Sequence, residues 1–453
     1  MTDPAGLIRE VRIEPGAESW REHATRSWER ARRDEHCLAL RSGLGLPIDR
    51  PVIMTGHQPG FWHLGVLSKF FAAEAASNAI GGSAAWIVPD QDDADPGALM
   101  IPTENEHGRL MRRTVRILPE PPAGVAVGCV PRASSVVPDI PPDHGAIRDG
   151  ILKAARLCDM HVSASSLAEQ TALAVRDALV DDLAPAPMVF ASRLFEEDGA
   201  WAFARAVVDD ADSAVDAYNR AVAAHPGAGV SPLARQGERV ELPMWRLRKG
   251  QARERVWSDT APDTPREEIA PRALLMTAIL RRFVCDFFIH GLGGWEYDRV
   301  SETWMREWRG ETVAPMGLVT ASVRLDLGRG EPVSREDAAK AVWRAHHARH
   351  DPEMLGRSDL AKKKRALVDA ISLERERGGN AGPRYADLTG LLRSFRDEAR
   401  DGLKTLERDA EDALSRVAEA DIIADRTWPF VLHSRATVLA LRSRTRREFG
   451  GEL

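Results

Sequence analysis

The feature that most constrains the fold is a short apolar strand that leads directly into a turn of glycine and polar residues. Residues 51–69 read as this strand, the turn Thr55–Gly60 and the first turns of a helix. A second apolar strand, 85–88, follows about twenty residues later and runs into the acidic loop 90–93. These lengths predict a parallel sheet whose loops meet at the carboxyl ends of its strands. Small anionic ligands bind at that edge, on backbone N–H groups and helix N-termini.

The composition is that of an ordinary globular protein, since 43% of the 453 residues are hydrophobic and 29% are charged. A chain of this length favours two or three domains over one. The net charge of −6 gives no reason to expect a nucleic-acid partner. Four scattered cysteines indicate reduced thiols, and neither a signal peptide nor an apolar run of bilayer length is visible. We therefore expect a cytoplasmic protein without a membrane partner.

Alternating helix and strand patterns favour an α/β sheet over a helical bundle. Residues 225–265 lose the pattern and predict an insertion with a hairpin, and Pro119–Pro142 is expected to cross the surface as loop and short strand. Further strands are expected at 114–118, 188–191 and 317–327, and helices at 17–40, 145–184, 200–224 and 272–288.

From Leu360 onward the pattern is that of charged helices. Apolar residues between Leu388 and Val417 recur at alternating steps of three and four over about four heptads, which predicts a coiled coil. The break at Gly378–Pro383 makes the helices an antiparallel hairpin. Because the apolar stripe is too thin to form an independent core, the hairpin needs another surface, and a partner subunit is one source of it.

The first candidate site is the loop after the first strand. Its glycines allow close approach of the backbone, and its threonine, histidine and glutamine offer polar groups. The alternative is a plain turn with capping histidines, but the position between a strand and a helix favours a ligand-binding loop. The candidates are Thr55, Gly56, His57, Gln58, Gly60, His63, Gly65 and Lys69.

The second candidate is the acidic cluster Asp90–Asp95. It could bind a metal, a ribose or a substrate amine, or it could be a solvated turn. An EF-hand is excluded because Ile101 occupies the twelfth position, where a glutamate is required. The closely spaced acids repel each other, so we expect cationic or hydrogen-bonding groups to offset them. The candidates are Asp90, Gln91, Asp92 and Asp93.

The third candidate is the glycine-rich turn after His290, between the predicted helix 272–288 and a second predicted helix that opens near Glu296-Tyr297 and runs through Trp304. It resembles a phosphate cradle but is not a Walker loop, because no Gly-Lys-Ser/Thr follows. A bare helix–helix turn is the alternative. The preceding Arg281-Arg282 pair reads either as an anion clamp or as a salt-bridged helix face. The candidates are His290, Gly293, Gly294, Glu296 and Tyr297.

These segments, in this order and with the helical hairpin behind them, resemble the bacillithiol-biosynthesis cysteine-adding enzyme family. The resemblance spans nearly the whole chain and implies a Rossmann-like, nucleotide-binding core of the class I aminoacyl-tRNA synthetase type. It also implies connecting insertions and a C-terminal antiparallel coiled coil that forms a homodimer. The motifs that carry it are the Thr-Gly-His-Gln-Pro-Gly loop, the segment Trp86–Asp93, the Gly-Gly-x-Glu-Tyr turn and the closing Arg426–Phe430.

The reaction that the resemblance implies is amide formation between the cysteine carboxylate and the amine of glucosaminyl malate, as in low-molecular-weight thiol biosynthesis. The substrates are small molecules, and we expect ATP or another nucleotide as cofactor and no metal site. The backbones of Thr55-Gly56 and Gly293-Gly294, with His63, are expected to hold phosphate or carboxylate oxygens.

The predicted catalytic residues are His57, His63, Asp90 and Asp92. Asp90 or Asp92 is expected to orient the amine, and His57 to act as the base because an unperturbed imidazole titrates near neutrality. The chain departs from the family at His57, usually a glutamine, and in its acidic loop, usually Glu-Asp-His-Asp. His63–Val66 is a degenerate His-x-Gly-His signature. A catalytically silent or divergent dimeric protein that binds a nucleotide or metabolite is therefore the alternative.

The predicted division of the chain follows from these elements. It is a Rossmann-like core in two parts, 1–224 and 267–350, a connecting insertion 225–266, a coiled-coil hairpin 351–424, and a tail 425–453 that packs on the core.

Overall fold

The computed structural model describes residues 4–140, 145–329 and 333–450. The first three residues of the predicted core and the end of the predicted loop, Pro141-Pro142, therefore lie outside the described residues. The strands are β1 Ile8–Glu14, β2 Val52–Gly56, β3 Ser83–Val88, β4 Ala98–Glu104, β5 Leu110–Arg116, β6 Met188–Phe190, β7 Arg235–Gln236, β8 Arg239–Arg246, β9 Glu254–Trp257, β10 Ile269–Pro271, β11 Phe287–His290 and β12 Met316–Val323.

The α-helices alternate with these strands over the first three-quarters of the chain and follow one another after it. They are α1 Trp20–Ala31, α2 Glu35–Gly43, α3 Leu64–Ile80, α4 Gly145–Met160, α5 Leu167–Ala178, α6 Asp198–Asp209, α7 Ala211–Ala224, α8 Ala273–Ile279, α9 Leu292–Arg309, α10 Arg335–Ala348, α11 Ser358–Glu376, α12 Gly382–Glu398, α13 Arg400–Ile423 and α14 Arg435–Arg447.

The predicted parallel sheet is confirmed as a six-stranded, mostly parallel sheet in the order β1-β12-β11-β2-β3-β6. Only β1, at one edge, is antiparallel to its neighbour. From β2 the chain first adds β3 and β6 on one side and later adds β11 and β12 on the other. The order therefore reverses between β2 and β11, and open α/β sheets bind ligands at the carboxyl edge beside such a reversal.

Helices cover both faces of this sheet, because successive residues of its central strands pack into different cores. Met54 and Phe288 belong to the core that contains Trp304 of α9. Ile53 and Ile289 belong to the core formed with α1 and α3. Strands covered on both faces have continuous apolar runs, which explains why β2 and β3 are recognisable in the sequence.

The smaller sheets lie outside the central one. Strands β7–β10 form an antiparallel sheet, which confirms a hairpin in the region 225–265. The strand expected at 114–118 is β5, and it pairs with β4, which was not predicted. The helical stretches 145–184 and 200–224 each contain two helices instead of one.

The predicted helix over 272–288 is wrong at its C-terminal end. Helix α8 ends at Ile279, a π-helical turn covers Leu280–Val284, and Phe287–His290 form β11 in the centre of the sheet. A short, fully buried strand has no alternation that distinguishes it from a buried helix. Strand β1 was also missed, although apolar and charged residues do alternate over its second half, 11–14.

The chain divides into two units, of which the smaller contains residues 104–112 and 327–425. Within it α10 packs along α13, and α11 packs along α12. The predicted break between two antiparallel helices falls between α11 and α12. The apolar residues between Leu388 and Val417, which predicted the coiled coil, are divided between α12 and α13. Helix α10, which the predicted hairpin did not include, packs against α13. No helix of the described residues has the length and apolar character that a bilayer crossing requires.

Candidate functional site

A cavity of about 700 Å³ lies at the carboxyl ends of β2 and β11, beside the reversal of strand order. Its volume is in the range of small-molecule sites. All three predicted segments contribute to its lining, through Gly56, His57, Gln58, His63, Gly65, Lys69, Asp92, His290, Gly293, Gly294 and Tyr297. Residues that were not predicted also line it, among them Met276, Thr277, Thr320 and Arg426.

Lys69 places a buried amine in this cavity. Lys69 lies in the first half of α3, only 4% of its surface is exposed, and its Nζ donates to the Gly56 carbonyl at 2.7 Å. No carboxylate pairs with it among the described residues. Burial lowers the pKa of Lys69 to about 7, because the ammonium loses its hydration. A bound anion would supply the missing counter-charge.

The N-terminus of α9 and Arg426 add two further positive features. Helix α9 begins after Gly291, which has extended backbone and no side-chain cap, so the N–H groups of its first turn lack intrahelical partners. Gly293 has open space where a side chain would project. Arg426 donates to Thr320 Oγ1 and to the Ala321 carbonyl, both at 3.2 Å, and has no carboxylate partner in the described part of the chain.

A histidine–aspartate pair lies beside the helix N-terminus. His290 Nε2 is 2.8 Å from Asp298 Oδ2, and Asp298 also accepts from Thr277 and Arg281. Burial alone would raise the pKa of Asp298, but the charge of Arg281 and the hydrogen bond from His290 hold that pKa below its usual value. Asp298 was not predicted, although it lies one residue after Tyr297. Arg281 also pairs with Glu302, so the salt-bridge interpretation of that arginine is confirmed.

His57 lines the cavity but is a poor base. Its Nδ1 lies 3.3 Å from the Gln58 carbonyl. Burial and then the charge of Lys69 lower the pKa of His57 to about 3. The imidazole is neutral at neutral pH, and the same surroundings oppose the charge it would gain by accepting a proton. The premise for choosing His57, an unperturbed pKa near neutrality, is therefore wrong.

His63 lines the cavity and also caps its own helix. Its Nδ1 accepts the Gly65 N–H at 3.1 Å, so that lone pair is already used at the start of α3. A Cβ on Gly65 would lie 2.6 Å from the Ala321 carbonyl oxygen. Glycine at this position is therefore required by packing of α3 against the end of β12.

Three other predicted residues are structural and do not line the cavity. Thr55 Oγ1 donates to the Ile289 carbonyl at 2.8 Å and joins β2 to β11. Asp90 accepts from the Ser192 N–H at 2.8 Å, and burial raises the pKa of this carboxyl. Gln91 is fully buried, with Nε2 3.7 Å from Met276 Sδ. These residues were predicted to belong to the site because each lies at the end of a strand or directly after one. Their side chains instead contact other parts of the fold.

The rest of the acidic loop is paired with arginines, which confirms that its mutual repulsion is offset. Arg253 contacts Asp92 at 3.0 Å and Asp93 at 2.6 Å, and Arg116 contacts Asp95 at 2.8 Å. Asp92 also accepts from Gln58 Nε2 at 3.3 Å. Asp92 lines the main cavity, whereas Gly60 and Asp93 line a second cavity of about 550 Å³.

The predicted role of Glu296 is not supported by its position. It is exposed, its carboxylate lies 3.6 Å from Arg299, and it does not line the cavity. A residue in the first turn of a helix can point away from the site that the helix N-terminus faces. His290, Gly293, Gly294 and Tyr297 of the same segment do line it.

The chemistry of the cavity has to be inferred from its own lining. Among the described residues no group of three or more histidine, cysteine or acidic side chains is arranged to hold a metal ion. Two positive side chains, a helix N-terminus and a buried imidazole instead surround the space. No protein-family model matches the chain, and no curated protein is significantly similar to it.

Proposed function

We propose that the protein is a cytoplasmic ligase with a Rossmann-like, nucleotide-binding core. In this proposal it forms an amide between the carboxylate of cysteine, or of a similar amino acid, and an amine-bearing sugar or metabolite. One observation carries it: the cavity at the strand-order reversal gathers Lys69, Arg426 and the α9 N-terminus, and no carboxylate of the described residues pairs with either cation. Such a site favours phosphate or carboxylate groups.

A nucleotide fits this lining. The uncapped first turn of α9 and the open space at Gly293 allow phosphate oxygens to approach backbone N–H groups, and the buried ammonium of Lys69 needs a counter-charge. ATP, when bound, supplies the group that activates the carboxylate, because a carboxylate does not condense with an amine at neutral pH. The chain's own part is to hold the anions and exclude water from the reacting groups.

The amine is assigned to the part of the cavity wall that Asp92 forms. Of the acidic loop's described carboxylates, Asp92 is the one that lines the main cavity, and it also lines the second cavity. Gln58 and Arg253 fix its two oxygens at 3.3 and 3.0 Å. A carboxylate held this way can accept a further hydrogen bond from a substrate amine and orient it.

A catalytically silent protein that binds a nucleotide or metabolite is the second candidate. Two of the four predicted catalytic residues favour it, because His57 is a poor base and Asp90 does not line the cavity. Both candidates require an anion in the cavity. Turnover separates them.

The direct test is to incubate the protein with ATP, cysteine and an aminosugar while phosphate and pyrophosphate release and loss of free amine are measured. The ligase proposal predicts nucleotide cleavage that depends on both cysteine and amine. A strain that lacks the protein is expected to lose a low-molecular-weight thiol. ATP binding without cleavage, together with an unchanged thiol profile, would establish the silent alternative.

We further propose that helices α11–α13, together with α10, which packs along α13, form a coiled coil that mediates homodimerisation. Several large apolar side chains within it are exposed, and such side chains are commonly covered at an interface. They are Val342, Trp343, Val368, Leu373, Tyr385 and Leu414.

Replacing Trp343 and Leu414 together by glutamate is expected to convert a dimer into a monomer without unfolding it, because both side chains are more than half exposed. Light scattering measures the mass, and circular dichroism checks the helix content. The matched control is glutamate at exposed Met111 and Met160, outside the four helices. A wild-type chain that is monomeric at every concentration would refute the dimer.

A further inference from the structure

We propose that His290, held by Asp298, is the catalytic base that removes a proton from the attacking amine. The inference rests on the proposed ligase function and assigns the proton acceptor within that same cavity. It replaces His57 in that role.

The tautomer of His290 follows from its hydrogen bonds. Asp298 is fully buried and accepts from Thr277 Oγ1 at 2.6 Å, from Arg281 Nη1 at 2.8 Å and from His290 Nε2 at 2.8 Å. An ionised carboxylate can only accept hydrogen bonds, so Nε2 of His290 carries the hydrogen. The lone pair is therefore on Nδ1.

The position of Nδ1 makes that lone pair available to a ligand. His290 lines the cavity, and its Nδ1 has no hydrogen-bond partner among the described residues. A Cβ on Gly294 would lie 2.5 Å from Nδ1, so a side chain at that position would close the approach to it. The glycine keeps open the space between the imidazole and the first turn of α9.

The hydrogen-bond partners and charges around His57 and His290 favour His290 as the base. Burial lowers the pKa of His290, and Arg281 and Lys69 lower it further, while the hydrogen bond and charge of Asp298 raise it. The imidazole is therefore neutral and able to accept a proton. Asp298 then stabilises the imidazolium, as the aspartate of a catalytic triad does. Lys69 lowers the pKa of both histidines, and the difference lies in the partner, because His57 lies beside the Gln58 carbonyl whereas His290 pairs with a carboxylate.

The step balances as an acyl transfer. The neutral amine attacks the carbonyl carbon of a carboxyl group activated as a mixed anhydride with phosphate. The C–N bond forms, the C–O bond to the phosphate breaks, and the phosphate leaves with the electron pair. The nitrogen gives one proton to Nδ1 of His290, which later releases it to solvent.

The test compares three variants of the full chain. His290→Gln keeps an N–H that can donate to Asp298 but removes the base, and it is expected to lower kcat by about 10²–10⁴-fold with nucleotide affinity largely kept. His290→Gly is expected to regain rate when imidazole is added, which a purely structural histidine would not do. The matched control is His225→Gln, since His225 contacts Thr303 at 2.9 Å outside the cavity and its loss should leave kcat unchanged.

The outcomes separate this inference from the proposed function. If wild-type protein forms amide and His290→Gln retains its kcat, the base assignment is overturned while the ligase stands. If wild-type protein forms no amide, the ligase proposal fails, and with it the acyl-transfer step. ¹⁵N NMR of the histidines decides the arrangement independently: protonated Nε2 of His290 supports the dyad, and protonated Nδ1 overturns it.

Discussion

A Lys69→Met variant is expected to be more stable than the wild-type protein and to bind anions more weakly. The two effects have one cause, the burial of an ammonium group that no carboxylate pairs with in the described part of the chain. Methionine has a similar length and needs no hydration, so it fits the same space at a lower free-energy cost.

The stability effect has a defined pH window. The pKa of Lys69 is about 7 in the folded protein, compared with 10.5 for an ordinary lysine, so the unfolded chain binds more protons between these values. Lys69 therefore makes the free energy of unfolding of the wild type rise as the pH increases from about 7 to 10.5. Its contribution is least favourable to the folded state below pH 7. The variant should lack this rise, and its advantage of several kcal/mol should be largest at neutral and acidic pH.

The binding effect has the opposite sign. Loss of a hydrogen bond from a charged donor costs about 1.5–3 kcal/mol, so affinity for ATP or pyrophosphate should fall about 10- to 150-fold at pH 6. Wild-type affinity should decrease above pH 7 as the free ammonium loses its proton, and the variant should show no such decrease.

Calorimetric titration and urea denaturation measure the two quantities on the same samples. Lys340→Met is the matched control, because Lys340 is exposed on α10 and pairs with Glu336 at 2.7 Å. Equal ATP affinity of wild type and Lys69→Met at pH 6 would contradict an anion site at Lys69.

The sequence predicted the edge of the sheet where the cavity lies, because the evidence for it is local. Strand β2 and the loop after it are contiguous in the chain, and apolar residues bounded by glycine and proline predict a buried strand. Strand β11 was not predicted because Phe287–Ile289 follow an equally apolar helix, and hydrophobic periodicity cannot separate a short buried strand from a buried helix. The glycine turn after His290 was thus placed between two helices instead of after a strand.

Individual side chains were harder to predict than segments. Asp90 and Asp92 follow the same strand, yet one is bound by Ser192 and the other lines the cavity. Which of them faces the ligand depends on partners about one hundred residues away in sequence. Asp298 was missed although its partners His290 and Arg281 are close in sequence, because no short motif encodes these contacts.

Replacing Asp286 by alanine is expected to lower the free energy of unfolding by about 3–5 kcal/mol, because it leaves a buried arginine without a counter-charge. Asp286 immediately precedes β11, and its carboxylate accepts from Arg41 Nη2 and from the Val52 N–H, each at 2.8 Å. Both side chains of the ion pair are 0% exposed. The Nε and Nη1 atoms of Arg41 already lack hydrogen-bond partners within the described parts of the chain, so the variant would leave the whole guanidinium without one there.

The double variant Arg41→Met, Asp286→Leu separates the charge effect from the loss of packing. Apolar side chains of similar size often replace a buried ion pair with little loss of stability, so this variant should unfold much nearer to the wild type than Asp286→Ala. Urea denaturation of the three proteins measures the difference. Since the pair lies at the amino ends of β2 and β11, opposite the cavity, ATP affinity of the folded variants should remain within a few-fold of wild type. An Asp286→Ala protein as stable as the wild type would show that Arg41 finds another partner or water, and that this pair does not hold α2 against the central strands.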